Sequence, residues 1–133
     1  MLGVSEVRIF KTKGLARFAR REQIADSRLR EAIERAERGT IDADLGGGLI
    51  KQRVARKGEG RSGGYRMMIA YRTKDRAFFL LGFAKNEREN VSPDQLAALR
   101  KLAEVWLRTS DARITDSIQE GILQEVFDDD ESE

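Results

Sequence analysis

The residues best placed to do chemistry are cations on a strand, a glycine-rich loop and a following strand. Between Gly46 and Arg88 the chain has eleven Lys or Arg against three Asp or Glu, a local excess of eight where the whole chain carries +2. The series runs through Lys51 and Arg53 in Leu49-Ile50-Lys51-Gln52-Arg53, Arg56, Lys57 and Arg61 in the loop, Arg66 after Tyr65, and Lys85 and Arg88 further on. A two-residue period puts Lys51 and Arg53 on one face and Ile50 and Val54 on the other, so one side can meet an anion while the other enters the core. Four glycines among the nine residues from Arg56 to Gly64 make the connecting backbone permissive. A concentration of unbalanced positive charge of this kind points to a polyanionic partner. Pattern alone leaves a second reading open, an ordinary solvated strand face and a hairpin loop kept soluble by charge.

What is missing narrows the chemistry as firmly. The chain has neither cysteine nor histidine, which removes disulfides, the usual zinc sites, thiol nucleophiles and histidine acid-base relays. Any reaction must use Lys, Arg, Tyr, Asp, Glu or the substrate itself, with no metal or cofactor expected. At 133 residues, 40% hydrophobic and 36% charged, the composition is that of one globular domain with a highly charged surface. No apolar run approaches the roughly 20 residues that span a bilayer, and the first residues lack a basic-then-apolar leader, so a cytoplasmic location is expected.

The elements that must position these cations are legible in outline. Val7 to Lys11 alternates as a half-buried strand, and Thr12 caps a helix through about Glu22 with Leu15, Phe18 and Ala19 inward and Arg17, Arg20 and Arg21 elsewhere. Asp26 or Ser27 is the expected cap of a second helix with Leu29, Ala32, Ile33 and Ala36 as its stripe, stopped by Gly39. Tyr65 to Tyr71 and Ala77 to Phe83 form a hairpin turning at Thr73-Lys74-Asp75. The second of these strands is apolar on both faces, which suits a central strand covered on one side by the helices. Ser92-Pro93-Asp94-Gln95 starts a further helix, with Leu96, Leu99, Leu102, Ala103 and Trp106 inward. Helix from Ser110 to Glu120 and a strand or extended segment from Ile122 to Val126 follow. The expected class is α+β: an N-terminal strand and two helices packed on a small, mainly antiparallel sheet, then a C-terminal helix.

Charge is also polarised along the chain. Residues 1 to 90 hold 21 basic and 12 acidic groups, whereas 91 to 133 hold 4 and 11. The domain is expected to fill residues 1 to 127, with 128 to 133 a solvated, disordered acidic tail. Gly46-Gly47-Gly48 is a weak phosphate cradle, since no Gly-Lys-Ser/Thr follows and no helix clearly begins there.

The order strand, two helices and consecutive strands resembles the RelE/HigB family of type II toxin-antitoxin toxins. Leu49-Ile50-Lys51-Gln52-Arg53, Gly60-Arg61-Ser62-Gly63-Gly64-Tyr65-Arg66 and Gly82-Phe83-Ala84-Lys85-Asn86-Glu87-Arg88 look like its HigB-type branch, the likeness covering residues 7 to 108. The resemblance implies a ribosome-dependent endoribonuclease that cuts messenger RNA in the decoding site and is restrained by a helix-turn-helix antitoxin. It assigns catalytic places to Lys51, Arg53, Arg66 and Lys85, and RNA-binding places to Arg56, Lys57, Arg61 and Arg88. Arg53 and Arg66 would clamp the phosphate; Lys51, among Arg53, Arg56 and Arg66, would have its charged form disfavoured and move protons. Asn86 stands where the family has an arginine, and no tyrosine follows Tyr71 where the best-studied branch uses one. The same fold in the ParE-like branch acts on DNA gyrase instead, and a nucleic-acid-binding protein without catalysis is a third reading. The basic face of Arg17, Arg20 and Arg21 is read either as solvated surface or as a contact for ribosomal RNA or an acidic antitoxin segment.

Overall fold

The computed structural model describes residues 7–56, 58, 60, 63–87 and 90–127. Its elements are β1 (Arg8–Thr12), α1 (Lys13–Glu22), α2 (Asp26–Glu37), β2 (Ala43–Asp44), β3 (Leu49–Val54), β4 (Tyr65–Arg72), β5 (Arg76–Ala84), α3 (Pro93–Arg108), α4 (Asp111–Gln119) and β6 (Leu123–Val126). The strands form one sheet in the order β2-β3-β4-β5-β1-β6. Among the described strands only β1 and β5 pair in parallel; the other neighbours are antiparallel, as short connections require. The α+β class expected from the sequence is the one observed.

Helices cover both faces of the sheet, not one. Leu15 and Ala19 of α1 and Leu29, Ile33 and Ala36 of α2 pack on Ile50, Met67, Ile69 and Phe79. On the other side Leu99, Ala103 and Leu107 of α3 and Ile114 of α4 pack on Leu49, Met68, Ala70 and Phe78. This second layer explains why β5 is apolar all round. Phe10, Phe78 and Trp106 stack in a column there, at 4.9 and 5.1 Å between ring centroids. Leu102, expected inward, is exposed, because the residues four apart, Leu99, Ala103 and Leu107, take the sheet-facing line. A bulge at Met68/Ile69 leaves Leu80 without a register partner, and both Leu80 and Leu81 join the α3 side.

Local capping accounts for most helix starts. Thr12 and Ser110 accept backbone bonds from Leu15 and Arg113, and Ser92 forms a reciprocal capping box with Gln95. The start of α2 differs from expectation: Ala25 is its cap residue, with no side-chain bond. Asp26 instead accepts from Lys11 Nζ at 2.7 Å, a pair that fastens α2 to β1.

Two cations of the basic stretch serve the fold. Arg72 donates to the Leu107 carbonyl at 2.7 Å and Arg76 to that of Thr109 at 2.5 Å, satisfying the orphan acceptors where α3 ends.

The far end of the β4–β5 hairpin is tied to α2 through Glu37. Its Oε2 accepts from the Tyr71 hydroxyl, from Thr73 Oγ1 at 3.0 Å and from the Lys74 amide at 3.0 Å. Burial, then the bond to Glu37, pushes the Tyr71 phenol up to about 12. A phenol whose pKa is raised by folding adds stability that is complete below the unfolded value, near 10, and is lost as pH rises toward 12. With only two tyrosines in the chain, absorbance titration should resolve a late phenolate step that Tyr71→Phe removes. Loss of stability between those two pH values should be shallower in the same variant; an unchanged profile would refute the assignment.

Candidate functional site

Register decides which cations meet. In the β3–β4 ladder Arg53 lies opposite Arg66, Lys51 opposite Met68 and Leu49 opposite Ala70. Leu49, Met68 and Ala70 belong to the α3-covered cluster, so alternation puts Lys51, Arg53 and Arg66 on that same face. Directly opposed side chains have Cβ atoms about 4.5–5.5 Å apart, and diagonal ones about 7–8 Å, so the three cations are one group. The helix α3 covers the Leu49–Ala70 end of the face. At the other end Lys51 is half-buried and Arg53 exposed, while Arg66 is only 5% exposed.

Each is held differently. Lys51 Nζ donates to Asn90 Oδ1 at 2.5 Å, in the segment just before α3. The Arg53 backbone is locked on both sides: its amide donates to Asp42 Oδ2 at 2.7 Å and its carbonyl accepts from Arg35 Nη2. Buried Arg35 also meets Asp42 at 3.3 Å and Glu31 at 3.1 Å. Between the two strand cations, Gln52 points into the opposite layer with no exposed surface. Its amide donates to the carbonyls of Ala32 at 2.9 Å and Thr40 at 3.2 Å, and its carbonyl accepts from the Asp42 amide at 2.7 Å. The outward direction of Lys51 and Arg53 is therefore imposed from behind the sheet.

Arg56 turns away from this group. Its guanidinium lies over the Tyr65 ring, 5.4 Å from the centroid, and 3.8 Å from Glu22 at the end of α1. Lys85 is exposed just beyond β5, with its amide on the Gly64 carbonyl at 3.0 Å. No ion pair involves Lys85 or the Arg53 side chain among the described residues. Lys57, Arg61 and Arg88 lie outside the described residues, as does the acidic segment 128–133. The approach of the loop to β3 depends on Gly64, where a Cβ would overlap the Val54 carbonyl oxygen. Gly46, Gly47 and Gly48 all take positive φ and form the β2–β3 turn, not the start of a helix.

Four supporting residues escaped the sequence reading: Gln52, Arg35, Asp42 and Asn90. Two carried a signal. Gln52 shares the inward period of Ile50 and Val54, and Arg35 sits three and one positions from Ala32 and Ala36 on the buried side of α2. Asp42 and Asn90 are loop residues whose partners are set by the tertiary fold. Among the described residues no group of three or more His, Cys, Asp or Glu is gathered as a metal site would need.

A family model described as the RelE toxin of the RelE/RelB toxin-antitoxin system matches residues 7–126. The chain belongs to the RelE toxin family. This RelE-family chain is accordingly the toxin half of a toxin-antitoxin pair, and an antitoxin is its partner. No described helix of the toxin is long and apolar enough to cross a membrane.

Proposed function

We propose that this toxin is a HigB-like, metal-independent endoribonuclease that cuts messenger RNA on the ribosome and so blocks translation in the cytoplasm. The observation that supports this best is the register of β3 and β4, which groups Lys51, Arg53 and Arg66 on one sheet face, with Arg53 exposed, Lys51 half-buried and Arg66 buried beside them.

The chemistry follows from what these groups can do. The RNA supplies the nucleophile, its 2′-hydroxyl, which attacks the neighbouring phosphorus; the O2′–P bond forms, the P–O5′ bond breaks, and a 2′,3′-cyclic phosphate and a 5′-hydroxyl result. Arg53 and Arg66 hold the non-bridging oxygens, a task suited to planar guanidinium groups that keep their charge. Lys51 is the group that accepts the 2′-hydroxyl proton, and Lys85 the one that supplies a proton to the departing 5′-oxygen. Asn90 orients the Lys51 nitrogen through its side-chain oxygen. Arg56, Lys57, Arg61 and Arg88 grip flanking phosphates.

Induction in cells, followed by mapping of transcript ends, tests the reading. Cuts should appear within translated regions in the wild type and disappear in Lys51→Ala. Growth arrest with gyrase-linked DNA breaks and intact transcripts would instead identify a gyrase inhibitor.

A further inference from the structure

We infer that the exposed face of α1 is a second RNA-binding surface, which grips the sugar-phosphate backbone of structured RNA without reading its sequence. It lies in the layer on the other side of the sheet from Lys51, Arg53 and Arg66. The inference rests on the ribonuclease reading only in naming ribosomal RNA as the RNA that is held.

Helix α1 has the sequence KGLARFARRE, four cations and one acid. Lys13, Arg17, Arg20 and Arg21 are all exposed. Arg21 is partly engaged, its guanidinium over the Phe18 ring at 5.4 Å and its Nε 3.7 Å from Glu22. Lys13, Arg17 and Arg20 have no ion pair or side-chain hydrogen bond among the described residues. Spaced by four and three residues, they form a single line along the helix.

Stability does not explain this line. Lys13 occupies the first turn, where a cation opposes the helix dipole, and no acidic residue stands there. Like charges three and four apart repel, so each neighbouring pair weakens the helix. The other three described helices interleave acids with their cations: DSRLREAIERAE, PDQLAALRKLAEVWLR and DARITDSIQ. With four cations against one acid, α1 has a far larger excess than α2 (three against four), α3 (three against two) or α4 (one against two). A protein partner fits the face poorly, since interface cores are apolar and depleted in charge, and none of the exposed large hydrophobic residues among those described lies on α1. A phosphate backbone needs what is present, point charges at regular intervals with no apolar contact.

The position also suits a hold that serves the reaction site. The end of α1 is bonded to the first residue of β4, with the Tyr65 hydroxyl donating to Glu22 at 3.0 Å and Arg56 3.8 Å from the same carboxylate. Arg66 is the next residue. RNA lying along α1 is thereby held at the loop end of the sheet, on the face opposite the cations of β3 and β4.

The test compares the full chain with the variant K13Q/R17Q/R20Q, and with K101Q/R108Q/R113Q, which removes the same charge from α3 and α4. Binding to purified ribosomes and to a defined RNA hairpin is measured across salt concentrations, with thermal melting as a check on folding. For the α1 variant the melting temperature should hold or rise and affinity should fall about tenfold or more. Its log–log salt slope should flatten by about two to three, since each phosphate no longer neutralised removes about 0.7–0.9 from the slope. The control variant should retain affinity and slope. Equal losses in both variants, no loss in the α1 variant, or a loss confined to antitoxin binding would each overturn the inference. A wild type that binds neither ribosomes nor cleaves transcripts refutes the ribonuclease reading separately, and the hairpin measurement then decides α1 alone.

Discussion

Arg66→Lys should slow transcript cleavage by roughly 10²–10³-fold, the usual consequence of removing one preorganised donor from developing negative charge. Lysine keeps the positive charge but offers a point donor in place of a planar fork, so it cannot hold two phosphate oxygens in one geometry. Lysine, not alanine, is the informative replacement, because Arg66 is only 5% exposed and truncation would also open a gap in the sheet face. Arg53→Ala provides the complement: the side chain is exposed, so its loss should leave the melting temperature near wild type and lower cleavage by a smaller factor. Single-turnover cleavage on ribosomes, with the folded fraction checked by circular dichroism, measures both. An Arg66→Lys protein that cuts at the wild-type rate would remove Arg66 from the clamp.

The second large effect concerns a residue with no chemistry of its own. Gln52→Leu keeps approximate size but removes the Gln52 partner of the Thr40 carbonyl and of the Asp42 N–H, and one of the two bonds at the Ala32 carbonyl, which keeps its bond within α2. A buried polar group left without its bond costs about 1–3 kcal/mol, and Thr40 and Asp42 are partly open to water. The losses share one neighbourhood and are not additive, and a total of about 2–3 kcal/mol is expected. In a domain of this size that is a fall in melting temperature of roughly 6–15 °C. Ile50→Val, one inward position earlier on the same strand, should cost only about 0.5–1.5 kcal/mol. Chemical denaturation of the pair decides the matter: a smaller midpoint shift for Gln52→Leu than for Ile50→Val would show that the network is not needed. Cleavage should fall at temperatures where the variant is still folded, since Lys51 and Arg53 flank Gln52 and take their direction from it.

Much of the fold is local in origin and therefore readable from sequence. The caps at Thr12, Ser92 and Ser110, the alternation in β3 and the turn at Thr73-Lys74-Asp75 depend on residues within a few positions of one another. Partners far apart in sequence give no such signal. Asp26 looks like a helix cap until Lys11 claims it across fifteen positions. Arg72 and Arg76 count toward a basic stretch until the end of α3 is placed beside them. The two-residue strand β2 is too short for periodicity and exists by pairing with β3. Within the site, the shared face of Lys51 and Arg53 follows from strand geometry alone. That Arg66 stands opposite Arg53 does not, because the ten residues between Val54 and Tyr65 leave the register open. Gly64, with room for no side chain beside Val54, helps to set it.

The place of β1 in the sheet governs the order in which the molecule can be completed during synthesis. The strands bearing Lys51, Arg53 and Arg66 are consecutive and can zip as soon as they are made. The first strand must wait: Arg8 pairs with Arg76, 68 positions later, and Ile9 with Val126, 117 positions later. At about 5–20 residues per second, the β3–β4–β5 unit exists for seconds before β6 can close the edge. A newly made chain thus assembles its cation cluster first and gains the β6 edge of the sheet only once Leu123–Val126 has been made, an order that a vectorial refolding experiment would expose.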